Sequence, residues 1–294
     1  MGIVLGPNQY GKAGVRLVRV DRHQNRDDIR DLTVGVALTG DMAAAHRSGD
    51  NAAVLPTDTQ KNTVYAFAAE RGVGELEAFA LALACHFVDS QPTIATARVS
   101  VAEQPWDRVG DSDHCFARHG GESRTATVSY DGTTAWAVSG LRDLTLLKTA
   151  GSEFRGYIRD RYTTLAETSD RILATDVTAR WRHAAVPLDG GSGWDSSYAA
   201  ARRLLIETFA GHYSRSLQQT LYAMGERVLA ERHEIAEIRL SLPNKHHLTV
   251  DLSAFGLDNP GQVLHVPDRP YGLIEGTVLR DDAPPPGLAW VSGA

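Results

Sequence analysis

Cysteine is scarce in this chain, and long apolar runs are absent. Only Cys85 and Cys115 occur among the 294 residues, which argues against a disulfide framework or a cysteine-based zinc site and fits a reducing compartment. No apolar run approaches the roughly 20 residues of a membrane span. Residues 1–8 also lack the basic start and apolar stretch of a secretory signal. We therefore expect a cytoplasmic protein that does not enter a membrane.

A surplus of positive charge is lacking as well. Lysine and arginine number 30 against 36 aspartate and glutamate residues, which gives a formal charge of −6. This balance gives no reason to expect nucleic acid or an anionic membrane as a partner. A local cluster of cations is therefore informative, because an anionic substrate would need one. The length leaves room for two domains of about 150 residues.

Alternating apolar and polar residues predict strands in both halves. Within 31–40, every second residue from Leu32 to Leu38 is apolar, as in a sheet with one buried face. The predicted strands are 15–20, 31–40, 93–101, a hairpin over 124–139 turning at Asp131-Gly132, 141–148, 172–181, 234–242, 247–252 and 272–279. Helical spacing predicts helices over 75–87 and most of 194–231. The other stretches are interpreted as a polar loop (46–62), an excursion loop (102–123), a short helix or turn (154–169) and an irregular proline-rich end.

This order of elements predicts an α+β fold built from an internal duplication. Each half contains strand, strand, helix, strand, strand, with a Thr-Asp pair early in it, Thr57-Asp58 and Thr175-Asp176. We place the two domains at 1–140 and 141–294, each an antiparallel four-stranded sheet with helices on one face. An open sheet must hide its edges, and pairing with further copies into a closed barrel would do so.

The run Ser241–His247 concentrates polar side chains between two predicted strands. Because proline cannot donate to a sheet ladder, Pro243 is expected to bend or bulge the chain there. On an extended chain, Asn244 and His246 fall on one face and Lys245 on the other. Taken alone, such a run is more often a simple polar loop.

Short motifs throughout the chain resemble those of the urate oxidase family. They are Tyr10-Gly11-Lys12, Thr57-Asp58 followed by Lys61-Asn62-Thr63, Phe154 before Arg159-Asp160, Tyr162 to Leu165, Asp170 to Leu173, Thr175 to Val177, Gln218, and Ser241 to His246. They run in family order from near residue 10 to near residue 279, so the resemblance covers nearly the whole chain. The chain departs from some members at Pro56, where they carry Ala, and at Leu217, where they carry Val.

The resemblance implies the tunnelling fold (T-fold). Two tandem T-fold domains form a subunit, and a homotetramer stacks as a barrel around a central tunnel, with active sites at subunit interfaces. The implied reaction is the oxidation of urate by O2 and water to 5-hydroxyisourate and hydrogen peroxide, in purine degradation. The family uses no metal, flavin or haem, so we expect no cofactor.

The resemblance also assigns a substrate-binding group. Arg171 and Gln218 would clamp the edge of urate in its plane, which suits a planar guanidinium and an amide that both donates and accepts. Phe154 would stack on the ring. Asp58 and Leu217 would contribute backbone amides. Taken alone, each residue has a simpler interpretation, such as a surface ion pair for Arg171 or a core aromatic for Phe154.

A second group would handle protons and oxygen. Lys12, Thr57 and His246 would form the catalytic relay, because burial of a lysine beside a hydroxyl disfavours its charged form and lets it act as a base. Asn244 and Thr57 would hold O2, or the attacking water, against the ring. Taken alone, a solvated lysine, a helix-capping threonine and a satisfied core histidine are the simpler readings.

Two alternatives stay open. One is a pterin- or purine-processing enzyme of the same fold; such enzymes commonly use a zinc site of Cys and His, and the eleven histidines show no recognisable zinc spacing. The other is a purine- or pterin-binding T-fold protein without oxidase activity. That second reading would expect Lys12, Thr57 or Asn244 to be replaced, and all three are present.

Overall fold

One large antiparallel sheet extends through both halves of the chain. The computed structural model describes residues 2–118 and 120–291. The strands are β1 (Tyr10–Arg22), β2 (Asp27–Gly40), β3 (Ile94–Gln104), β4 (Trp106–Arg108), β5 (Phe116–Arg118), β6 (Ser123–Tyr130), β7 (Ala135–Lys148), β8 (Leu173–His183), β9 (Ile235–Lys245), β10 (Leu248–Thr249), β11 (Leu264–His265) and β12 (Gly272–Leu279). The helices are α1 (Ala43–Ser48), α2 (Thr57–Arg71), α3 (Leu76–Asp89), α4 (Trp194–Gly211) and α5 (Leu217–Glu231), with a short 3-10 helix at Ser253–Phe255.

The main sheet has eight strands in the order β1-β2-β3-β6-β7-β8-β9-β12. The small pairs β4-β5 and β10-β11 lie outside it. Most predicted strands are confirmed, because alternation along them buries one face. In β2, for example, every second residue from Leu32 to Leu38 is buried. The predicted 124–139 hairpin is also found, and its second arm continues through 141–148 as the single strand β7.

The polar loop predicted over 46–62 is wrong, because α1 and α2 occupy part of it. Pro56 is extended (φ −52°, ψ 138°) and immediately precedes α2, where its missing N–H costs no helical hydrogen bond. The buried residues of α2 are Gln60, Val64, Phe67 and Ala68. Their spacing of i, i+4, i+7 and i+8 places them on one helical face, so tertiary packing stabilises a segment that is polar elsewhere.

Three other local predictions are narrowed or changed. Of the two possibilities given for residues 154–169, a short helix or a turn, the structure has turns, closed by a bridge between Phe154 and Thr168. The helical region 194–231 is interrupted between Gly211 and Leu217. The strand predicted over 247–252 shortens to β10.

Pro243 does not bend the chain as expected. β9 runs through it to Lys245, and on one side Leu273 of β12 stands opposite Pro243. On the other side, the pairs of β9 with β8 keep one register before and after the proline. The predicted bend or bulge is therefore wrong, since proline removes only one donor and its neighbours keep the strand paired.

The helices cover one side of the sheet and bury two hydrophobic clusters. The first includes Phe79 of α3, and the second includes Trp181 of β8 and Met224 of α5. Along β7, Ala137 belongs to the first cluster and Leu141 to the second. The predicted domain boundary at 140/141 lies between these residues but inside a continuous strand, and it stays a prediction.

The two halves share one order of elements. Each has two strands, a helical layer and two strands, with a small hairpin inserted between its third and fourth main strands. The two Thr-Asp pairs do not occupy equivalent positions in this order. Thr57 opens α2, whereas Thr175 lies within β8.

A β-bulge interrupts the edge strand β1. Ala13 and Gly14 together stand opposite one residue of β2, and Gly14 has a φ of 69°, which glycine adopts without strain. Tyr10 and Val15 flank the bulge, yet both contact the first core cluster. By alternation, Lys12 lies on the same side of the sheet as Tyr10. Because the bulge adds one residue, Lys12 and Val15 both face the helices although they lie on either side of it.

The structure also bears on helix length, on the cysteines and on the grouping of metal-ligating side chains. In the described part of the chain, no helix is long and apolar enough to cross a membrane. Cys85 and Cys115 are free thiols. Within residues 2–118 and 120–291, no three side chains of His, Cys, Asp or Glu are grouped so that they could hold a metal ion.

Candidate active site

Lys12 lies on the outermost strand of the sheet, beside the start of α2. It is half-buried, and α2 packs against β1. The Tyr10 hydroxyl accepts a hydrogen bond from the Leu55 amide at 2.9 Å, which anchors the segment leading into the helix. The edge strand and α2 thereby bring Lys12 close to Thr57 and Asp58.

Thr57 and Asp58 form the first turn of α2. The amide of Gln60 donates to the carbonyl of Pro56 at 3.1 Å, so the amides before Gln60 precede the helical ladder and lack acceptors within it. Free amides and the helix dipole together favour an anion at this end of the helix. This position suits the predicted amide role of Asp58.

The carboxylate of Asp58 is engaged by its own helix. It accepts hydrogen bonds from Lys61 at 2.5 Å and from Asn62 at 3.1 Å. The pKa of Asp58 is lowered, chiefly by the hydrogen bond and charge of Lys61, with a smaller effect from the charge of Lys12. The effect of Lys12 shows that its ammonium lies near the start of α2.

Arg171 presents a buried cationic donor. Its guanidinium carbon lies 5.2 Å from the centroid of the Phe154 ring, and its backbone amide donates to the carbonyl of Ser152 at 2.8 Å. Among the described residues, Arg171 Nε is buried and has no acceptor, and burial lowers the pKa of the guanidinium. A buried donor of this kind calls for an anionic or carbonyl acceptor.

Phe154 is held as a stacking surface. Its N–H donates to the carbonyl of Thr168 at 2.9 Å, and its carbonyl accepts from the Thr168 amide at 3.1 Å. The ring stacks on Tyr157 with centroids 4.9 Å apart and 14° between the planes. Its geometry therefore accepts a flat partner.

Asn244 and His246 lie at the end of β9. Leu242 belongs to the second core cluster, so alternation directs Asn244 to the helix-bearing side. Lys245 points to the opposite side, where its ammonium lies 2.6 Å from Asp176. Lys245 nevertheless also lines the cavity described below, so its separation from the site stays a prediction.

A cavity of about 600 Å³ joins Arg171 to the end of β9, and Phe154 is not among its lining residues. Its walls include Asp170 and Arg171 from the irregular segment and Asn244, His246 and His247 from the end of β9. Ligand pockets for small molecules commonly fall in this size range. One half of the chain thus brings Arg171, Asn244 and His246 together.

Leu217 and Gln218 begin α5. Ser216 is the N-cap, and its hydroxyl accepts from the Gln219 amide at 3.2 Å. The amides of Leu217 and Gln218 precede the helical ladder, as those of Thr57 and Asp58 do in α2. Leu217 is buried and Gln218 is exposed. The buried side chain of Leu217 is compatible with a role in which this residue contributes only its backbone amide.

The chain does not bring the two predicted groups together. Lys12 lies on β1 at one edge of the sheet, and Asn244 lies on β9, next to the other edge. Six inter-strand steps separate these strands, roughly 29 Å along the sheet at about 4.8 Å per step. A site that uses both groups therefore needs a second copy of the chain.

Sequence reasoning missed several buried hydroxyl groups near the site. Thr175 stands opposite Asn244 and is fully buried. Within the described ranges, the hydroxyl oxygens of Thr175 and Ser152 lack hydrogen-bond partners. The run Asp170 to Val177 contained Thr175 as a motif residue, but no sequence signal distinguished Ser152.

Comparison with known proteins gives one consistent result. The family model described as Uricase matches residues 8–129 and 137–275, which include all the predicted site residues. A curated uricase from Arthrobacter globiformis is 52% identical over 279 residues, covering 95% of this chain and 91% of the relative. A curated uricase from Danio rerio is 35% identical over 281 residues, covering 92% and 93%.

Solved structures give the same result at the level of the fold. The crystal structure of uricase from Arthrobacter globiformis matches with a TM-score of 0.93 and 50% identity, covering 97% of this chain and 98% of that one. Urate oxidase from Bacillus sp. TB-90 matches with a TM-score of 0.79 at 22% identity. The second match shows the fold alone, and it extends the likeness over 93% of this chain.

Proposed function

The chain belongs to the uricase family, and from that premise we propose how it oxidises urate. The reaction is urate plus O2 plus water giving 5-hydroxyisourate plus hydrogen peroxide. The single observation that carries the proposal is the desolvated Arg171 guanidinium on the Phe154 ring, with an unpartnered Nε among the described residues. A planar anion with acceptors along its edge and an aromatic face satisfies both groups at once.

Urate recognition would use one helix start from each half of the chain. Arg171 and Gln218 hold one edge of the ring, and Phe154 stacks on its face. The amides of Leu217 and Asp58, each in the first turn of a helix, donate to acceptors on the ring. Two helix N-termini directed at one ligand favour its anionic form.

Proton handling follows from the second group. Lys12 and Thr57 remove a proton from bound urate, and His246 passes protons between the site and solvent. The resulting dianion gives two electrons to O2, which takes up two protons and leaves as hydrogen peroxide. Water then adds to the oxidised ring to form 5-hydroxyisourate. Asn244 and Thr57 orient O2 and then water, so the protein supplies position and proton transfer.

The complete site would form between two copies of the chain. β1 and β12 are both edge strands of the sheet, and apolar side chains are exposed on each, such as Val18 and Leu273, at 57% apiece. Pairing β1 of one copy with β12 of the next would cover both edges and bring Lys12 towards Arg171 of the neighbour. We propose the homotetrameric barrel on this basis. The free thiols of Cys85 and Cys115 fit the proposed cytoplasmic location.

The activity is tested by incubating the purified protein with urate in air with excess chelator. Urate absorbance and peroxide are followed together. We expect urate to disappear and peroxide to accumulate in equal amounts. Unchanged urate, or loss that depends on added metal, would overturn the proposal; urate binding without turnover would indicate a purine-binding protein of the same fold.

A further inference from the structure

Two buried hydroxyl groups lie behind the substrate-binding residues. Ser214 and Thr220 are both 0% exposed, and neither lines the cavity. The Thr220 hydroxyl donates to Ser214 Oγ at 2.7 Å. Ser214 Oγ donates in turn to the carbonyl of Ser216 at 3.1 Å, and Ser216 is the N-cap of α5. These bonds fix the helical turn that carries Leu217 and Gln218.

The backbone of Ser214 is bound to the other substrate-binding segment. Its N–H donates to the carbonyl of Gly151 at 3.0 Å, and its carbonyl accepts from the Glu153 amide at 2.8 Å. A parallel bridge pairs Ser214 with Ser152, and the carbonyl of Ser152 accepts from the Arg171 amide at 2.8 Å. Ser214 therefore joins the segment that holds Arg171 and Phe154 to the start of α5.

Among the residues that the structure describes, a second connection between these two segments is more exposed. Tyr213 also links them, since its hydroxyl lies 3.0 Å from a carboxylate oxygen of Glu153 and 3.2 Å from the carbonyl of Ser169, but Tyr213 is 51% exposed. Buried polar groups are constrained to their partners because water cannot replace them. The hydroxyl pair therefore fixes the relative position of the two segments most firmly.

We propose that Ser214 and Thr220 are positioning residues that set the distance between Arg171 and Gln218, and so the fit of the urate edge. The inference rests on the proposed function, because it assigns a role behind the same binding group. Urate is rigid and cannot adjust to a wider clamp. A displacement of about 1 Å at such a site costs binding or rate even when every contact residue is present.

Thr220 provides a matched pair of substitutions. Thr220→Val keeps the size of the side chain and removes the hydroxyl; Thr220→Ser keeps the hydroxyl and removes a methyl group. We expect Thr220→Val to raise the KM for urate by about five- to tenfold, the value of one buried hydrogen bond, with kcat within about twofold. Thr220→Ser should keep the KM of the parent protein. A larger KM for the serine variant would indicate simple packing and overturn the proposal.

A second set of variants separates an effect on stability from an effect on the position of the binding groups. Ser214→Ala removes the nearer acceptor of the Thr220 hydroxyl and leaves it only the Ser216 carbonyl at 3.3 Å. Ser214→Ala with Thr220→Val removes both hydroxyl partners and should recover much of the thermal stability. We expect the KM to stay raised in the double variant. Ser197→Ala is the control, since the buried Ser197 hydroxyl donates to Glu234 at 2.6 Å away from the clamp. If KM follows stability across all these variants, the role is structural and the proposal fails.

The same assays distinguish failure of this inference from failure of the proposed function. Arg171→Ala is measured alongside as the reference. If the parent protein does not consume urate, the proposed function itself is wrong; if it does but Arg171→Ala leaves urate binding intact, the binding role of Arg171 is wrong. If Arg171→Ala weakens binding while Thr220→Val and Ser214→Ala do not, only the positioning role is wrong.

Discussion

The two halves of the chain share one architecture but contribute different parts of the chemistry. The first half offers Lys12 and the start of α2 at an exposed sheet edge, where Asp58 is bound by solvent-exposed partners. The second half builds a cavity lined by Arg171, and partial burial lowers the pKa of that guanidinium. Duplication of the fold has therefore not duplicated the site. Most of the recognition groups are assigned to the second half, and Lys12 and Thr57 of the proton relay to the first. Asp58 and His246 cross this division, yet each half can be disabled separately.

The largest effect is expected from Lys12→Met in the first half. Loss of a positioned proton-transfer group typically costs about 10²- to 10⁴-fold in rate, so kcat should fall within that range. Urate binding should stay within a few-fold of the parent protein, because the substitution leaves Arg171, Gln218 and Phe154 of the second half unchanged. Steady-state turnover and equilibrium binding measure the two. A loss of urate binding as large as the loss of turnover would contradict the proposed role of Lys12 in proton transfer.

Arg171→Ala in the second half should affect binding and turnover together. The variant loses charge-assisted bonds to the urate edge, so affinity should fall by about a hundredfold, and kcat falls because the ring is no longer oriented. Arg161→Ala is the control, since Arg161 is exposed and stacks on Tyr162. A turnover defect with unchanged affinity would contradict the binding role of Arg171.

A mixture of the two inactive variants tests whether the halves combine between copies. When Lys12→Met and Arg171→Ala chains are co-assembled, some interfaces unite an intact Lys12 from one chain with an intact Arg171 from another. Random assembly at equal amounts makes about a quarter of the sites intact, so activity should return to about that level. Homo-oligomers mixed without exchange are the control. No recovery in verified hybrids would place the site within one chain.

The junction between the halves predicts a smaller, pH-dependent effect. His183 Nε2 lies 2.8 Å from Ser139 Oγ, which donates to Glu77 at 2.6 Å. Burial lowers the pKa of His183 to about 4, against an opposing effect of Glu234 and with a further lowering by Arg232. At pH values between the folded pKa and the unfolded pKa of about 6.5, His183 binds a proton more tightly in the unfolded chain than in the folded protein. Stability should therefore fall with falling pH, by roughly 2 kcal/mol per chain from pH 7 to pH 5.

His183→Gln tests this effect, because it removes the titrating group and keeps an amide donor. Its thermal midpoint should decline less between pH 7 and pH 5 than that of the parent protein. His233→Gln changes an exposed histidine and should retain the parent slope. Equal slopes for all three proteins would show that His183 does not control acid stability.

Much of the fold could be predicted because alternation reports one-sided burial directly. The strands, α3 and the order of both halves follow from that signal. Helix α2 was missed although Gln60, Val64 and Phe67 carry helical spacing, because a buried glutamine does not register as apolar. The break before Leu217 was missed for a different reason. Its signal is the capping residue Ser216, and a single serine is common inside helices.

For the site, the sequence supplies candidate residues but not the distances between them. The roles of Lys12 and Arg171 came from motif resemblance, which carries residue types but no distances. Their location near opposite edges of one sheet depends on strand order, a long-range property that local patterns do not encode. The bonds of Ser214 and Thr220 were equally hidden, since a buried serine and an exposed serine have the same letter in a sequence.

The bulge at Ala13 and Gly14 has a further consequence for solubility. β1 is a free edge of 13 residues, and a long regular edge invites indiscriminate strand addition and aggregation. The extra residue breaks the even spacing of its N–H and C=O groups and increases the local twist. An incoming strand can then pair over the full length only in a register that respects the interruption. The bulge that lets Lys12 face the helices therefore also restricts which strands can pair with β1.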